Sequence, residues 1–80
     1  MARRKRPPEG FGERLNETYL NSGYSLLDIE KQIGVNHSNF LAYIHGDMAP
    51  TIINFARICK FFDVSADYLL FGKEVGKCNI

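Results

Sequence analysis

The chain has little with which to staple itself, cross a membrane or run a reaction. Its two cysteines, Cys59 and Cys78, provide no disulfide framework, and Cys59 falls in an apolar helical pattern where a thiol packs as a small hydrophobe. No apolar run approaches the ~20 residues that span a bilayer. The basic run Arg3-Arg4-Lys5-Arg6 is not followed by the apolar stretch of a secretory signal. A reducing cytoplasm is therefore the expected setting. A glycine-rich phosphate loop, a nucleophile with its base, and Cys/His clusters at zinc spacing are all missing. His37 and His45 stand eight residues apart, near two turns of one helix, too far to share a metal. Neither catalysis nor a cofactor is expected, and Asp28 and Glu30 read as solvated surface acids.

Positive charge is also scarce where a nucleic-acid binder usually carries it. Of ten basic residues, four lie in the first eight positions, which leaves six against nine acids, a balance of −3 over residues 9–80. The net charge of +1 thus hides a basic arm on a mildly acidic body. The usual DNA-binding footprint is a basic patch on the domain itself. Residues 1–10 (MARRKRPPEG) lack apolar periodicity, and Pro7-Pro8 with Gly10 oppose a helix, so they read as a flexible arm.

What is present is a series of helix signals. Eighty residues, 45% of them hydrophobic, suffice for one domain with a modest core. Phe11, Leu15, Thr18, Tyr19 and Ser22 recur at helical spacing and predict a first helix over 11–21, closed by Gly23. Ser25 with Asp28 three residues on marks the next start, predicting 26–33 and a stop at Gly34. Asn36 caps a third helix over 37–45, ended by Gly46. Thr51 caps a fourth over 52–62, with Ile52, Phe55, Ala56, Cys59 and Phe62 on its inward stripe. Ser65 caps a fifth over 66–71 before Gly72, and 73–80 read as a frayed tail. Three hydrophobic staples span these starts: Tyr24 with Ile29, Val35 with Phe40, and Val64 with Leu69. No strand-length alternation competes, so the expected fold is all-α, a compact five-helix domain.

The ordered set Ser25, Ile29, Ile33-Gly34-Val35, Phe40, Tyr43, Gly46, Pro50-Thr51 and Val64-Ser65-Ala66-Asp67-Tyr68-Leu69-Leu70-Phe71-Gly72 resembles the lambda-repressor-like helix-turn-helix domains of the Cro/xenobiotic-response-element type. The likeness covers roughly residues 11–72. It implies a transcriptional regulator of bacterial or phage type that binds double-stranded DNA as a homodimer, with its third helix in the major groove. Carried over by position, Asn36, His37, Ser38, Leu41, Ala42 and His45 face base edges, while Phe40, Tyr43 and Ile44 face inward. The spacing makes the same split unaided.

Three positions depart from that pattern. Leu26 begins the second helix where such domains often carry a Gln that contacts a phosphate or base. Glu30 stands where Ala is usual, and His45 and Asp47 stand where Arg or Lys is common. Arg3, Arg4, Lys5 and Arg6 read either as an arm that reaches DNA or as a solvated tail. Leu41 and Ala42 read either as contacts to thymine methyls or as a small patch for a protein partner. Lys31, Arg57 and Lys60 read as ordinary helix-surface charges unless they line the DNA-facing side. Asn39 and Tyr43 read either as marginal phosphate contacts or as ordinary surface and core positions, the latter reading being favoured. The second function considered is accordingly a protein-interaction module that keeps the fold with weak or no DNA binding. No membrane or small-molecule partner is indicated.

Overall fold

Local capping accounts for where each helix begins. A computed structural model describes residues 6–73 and contains α1 (Phe11–Ser22), α2 (Leu26–Ile33), α3 (His37–His45), α4 (Ile52–Phe62) and α5 (Ala66–Phe71). An α-helix leaves its first N–H groups without intrahelical acceptors. Here the side chains of Ser25, Asn36, Thr51 and Ser65 accept from them at the starts of α2 to α5. At α2 the exchange is reciprocal: Ser25 Oγ accepts from the Asp28 N–H at 3.1 Å, and Asp28 Oδ2 accepts from the Ser25 N–H at 3.2 Å. Asp28 is exposed, yet it is a capping residue rather than a merely solvated acid.

The expected arm up to Lys5 and the tail from Glu74 lie outside the described residues, as does Cys78. The inner end of the arm is tied down, because the Phe11 N–H donates to the Pro8 carbonyl at 3.1 Å.

The core comprises Phe11, Leu15, Ile29, Ile33, Val35, Phe40, Tyr43, Ile58 and Leu69. α1 packs against α3 and α5, and α2 packs against α3 and α4. Two long-range features hold this arrangement. Gly12 is buried where α1 crosses α3, and a methyl group at that position would overlap the carbonyl oxygen of Ile44. Arg14 reaches from α1 to the end of α5, donating through Nε to the Leu69 carbonyl at 3.1 Å and through Nη2 to the Leu70 carbonyl at 2.9 Å. These are among the carbonyls that a helix C-terminus leaves open.

Two sequence expectations are corrected here. The inward stripe of α4 is not centred on Ile52 and Ala56, both exposed. It is centred on the fully buried Ile58, flanked by half-buried Phe55, Cys59 and Phe62. The error is a rotation of the helix: α4 is apolar on most sides, so periodicity alone did not select the face. The staple expected from Tyr24 also takes another form. Tyr24 is 45% exposed, and its ring lies against Phe61 with centroids 4.7 Å apart, tying the start of α2 to α4. In the other two staples, Val35 with Phe40 and Val64 with Leu69, both members join the core or pack against it.

Candidate nucleic-acid interface

α2, the turn Gly34-Val35-Asn36 and α3 form a helix-turn-helix unit. The turn requires a left-handed residue at Gly34 (φ 86°), which a glycine adopts without side-chain strain. Val35 anchors the turn in the core, and Asn36 starts α3. One side of α3 is then locked by buried Phe40 and Tyr43, with Ile44 half-buried beside them. The Tyr43 hydroxyl accepts from Asn54 Nδ2 at 3.3 Å, linking α3 to the first turn of α4.

The opposite side holds the residues singled out from the sequence. Asn36, His37, Ser38 and His45 are exposed, and Leu41 and Ala42 are half-buried between them, forming an apolar shelf. Asn36 Oδ1 accepts from the Ser38 N–H at 2.8 Å, which leaves one oxygen lone pair and the Nδ2 hydrogens to offer. His37 lies with Nδ1 3.3 Å from Glu30 Oε1, the side chains being 53% and 36% exposed. Glu30 is thus half-buried and paired with the start of α3, not simply solvated as the sequence suggested. Leu26 packs against the core, and its side chain has no polar atom to offer a phosphate. Arg6, the described end of the basic run, is exposed and shares a shallow cleft with Ile44, His45 and Gly46 at the end of α3. Arg3, Arg4 and Lys5 lie outside the described residues.

Charge is distributed unevenly around this face. Glu30 and Asp47 flank it, and α3 itself carries neither Lys nor Arg. Arg14 is bound to the end of α5. Lys31, Arg57 and Lys60 instead line a cleft of about 520 Å³ between the end of α2 and α4, with Gly34 and Phe61. Sequence reasoning treated these three as unrelated surface charges, because only the packing of α2 on α4 gathers them. Among the described residues no cluster of His, Cys, Asp or Glu is placed to hold a metal ion. No helix among them is long and apolar enough to cross a membrane. Cys59 is a free thiol packed against the core, and burial pushes its pKa up, as for a structural rather than a reactive cysteine.

A family model described as a helix-turn-helix domain matches residues 12–75. The HTH-type transcriptional regulator ImmR of Bacillus subtilis (strain 168) is 28% identical over 69 residues, covering 86% of this chain and 54% of that protein. The chain therefore spans about half the length of that curated relative. No solved structure matches the chain. The match takes in α2, its turn and α3 together with the helices that hold them, and the chain belongs to the helix-turn-helix domain family.

Proposed function

We propose that the chain is a sequence-specific DNA-binding transcriptional regulator that reads the major groove with α3 and binds as a dimer. One observation carries this reading: α3 is locked into the core by Phe40 and Tyr43, yet leaves Asn36, His37, Ser38 and His45 exposed along its other side. A helix entering the major groove presents its N-terminal residues to base edges. Imidazole, hydroxyl and amide groups match the donors and acceptors found there, and the Leu41–Ala42 shelf suits thymine methyls. The transcriptional-regulator description of the Bacillus relative supports the same reading. Charge for phosphate contact comes from Arg3, Arg4, Lys5 and Arg6, and Arg6 lies beside the end of α3. A domain of this size spans only a few base pairs, so two copies on half-sites about one helical turn apart would supply useful affinity.

The test is selection of bound sequences from a random duplex pool at one fixed salt concentration. A two-fold symmetric site should be enriched. His37→Ala should lower affinity for that site by about 1–3 kcal/mol while nonspecific binding barely changes. Failure to enrich any sequence would remove the recognition role of α3. In that case the second reading, a protein-interaction module, takes its place. It is favoured by the acids Glu30 and Asp47 beside α3 and by the gathering of Lys31, Arg57 and Lys60 away from it.

A further inference from the structure

We infer that Glu30 determines which bases His37 reads, by fixing the tautomer of its ring. The inference rests on α3 reading the major groove. His37 opens α3, and its Nδ1 lies 3.3 Å from Oε1 of Glu30 on α2, within hydrogen-bonding reach. An ionised carboxylate can only accept, so Nδ1 carries the hydrogen in this contact. In the neutral imidazole Nε2 is then a bare acceptor, because the hydrogen bond at one ring nitrogen settles the state of the other. Isolated neutral histidine favours the opposite tautomer, with the hydrogen on Nε2. The contact is held by the core rather than by the pair itself: Ile29 and Ile33 on α2, Val35 in the turn and Phe40 on α3 are all buried and set the two helices at this separation.

The consequence concerns specificity. In the major groove a bare Nε2 finds donors at adenine N6 and cytosine N4, the exocyclic amino groups. An Nε2–H would instead find guanine O6 and N7, adenine N7 or thymine O4. Glu30 is a positioning residue in this scheme. It touches no base, and it biases His37 toward an amino-bearing edge.

The experiment has two arms, both on the full chain. Long-range proton–nitrogen correlation of the uniformly ¹⁵N-labelled protein at about pH 8, above the ordinary imidazole range of ~6.5, reads the tautomer without DNA. His37 should show the Nδ1–H form in the wild type and the Nε2–H form in Glu30→Ala. Glu30 is outside the core and alanine favours helix, so the variant should keep its melting temperature. A wild-type His37 in the Nε2–H form would overturn the inference.

The second arm is selection from a random duplex pool. The wild type should enrich adenine or cytosine at one position of each half-site. Glu30→Ala should raise guanine and thymine at that single position by roughly tenfold at the expense of cytosine, with adenine still accepted through N7. In the His37→Ala background, Glu30→Ala should change nothing further at that position, an outcome that mere helix bracing or a diffuse charge effect would not produce. An unaltered profile in Glu30→Ala sinks this inference alone, whereas no enrichment by either protein brings it down together with the DNA-reading proposal.

Discussion

α3 and α4 are neighbours in the chain, and both are rich in apolar residues, but they relate to the rest of the molecule differently. α3 has two distinct sides, one buried through Phe40 and Tyr43 and one polar and exposed through His37, Ser38 and His45. α4 fully buries only Ile58 and leaves Ile52 84% and Ile53 64% exposed. α3 carries no Lys or Arg, while Arg57 and Lys60 of α4 join Lys31 in the α2–α4 cleft. α3 stops at Gly46, whereas α4 stops at Asp63, held in the left-handed region at φ 58°. An apolar side chain is thus a poor indicator of orientation in a helix where eight of eleven residues are apolar. In α3 the buried pair Phe40 and Tyr43, three residues apart, marks the inward side, with Leu41 and Ala42 half-buried beyond it. The helix with fewer competing faces is also the one whose free face is chemically legible.

Substitutions can break or sharpen this contrast. The largest effect should come from Phe40→Ala, at roughly 3–5 kcal/mol, since it opens a cavity beneath the locked side of α3. Chemical denaturation measures it, and an unchanged midpoint would mean that α3 is wrongly oriented. Next come two isoleucines of α4: Ile58→Ala should cost about 2–5 kcal/mol, and Ile52→Ala should stay within about 0.5 kcal/mol. The reverse order would restore the stripe read from sequence and rotate α4.

Smaller effects probe how each helix is seated. Gly12→Ala adds a methyl against the Ile44 carbonyl at the α1–α3 crossing, and overpacking of this kind costs about 1–3 kcal/mol. That loss should outweigh the better helix propensity of alanine, and a rise in melting temperature would show that the crossing is looser than described. The smallest expected change is Asp63→Gly. Relief of the left-handed strain at the end of α4 should exceed the added chain entropy by less than about 1 kcal/mol, a slight stabilisation visible in thermal melts. A loss of stability would instead assign the Asp63 side chain a role of its own.

Much of the fold is legible in the sequence. The starts of α2 to α5 follow from Ser25, Asn36, Thr51 and Ser65, and each cap acts within three residues of itself. The outward set on α3 was likewise readable, because Phe40 and Tyr43 leave a single side free. Gly12 and Arg14 were overlooked, since their partners at Ile44 and at Leu69 and Leu70 are remote in sequence. A glycine inside a helical pattern was the available signal for the first, as it often marks a close backbone approach. Glu30 was visible as a departure from the usual alanine, but its hold on His37 depends on how α2 meets α3.

By itself the sequence determined the five helices, the caps of α2 to α5, the glycine stops of α1, α2, α3 and α5, the helix-turn-helix unit and the side of α3 left open. These are set by hydrogen bonds and periodicities that operate over a turn or two of chain. Only the tertiary structure decided the face α4 buries, the clasp of Arg14 on α5, the pairing of Glu30 with His37 and the gathering of Lys31, Arg57 and Lys60. Each of these depends on the angle and depth at which two helices pack, and that is a property of the whole core.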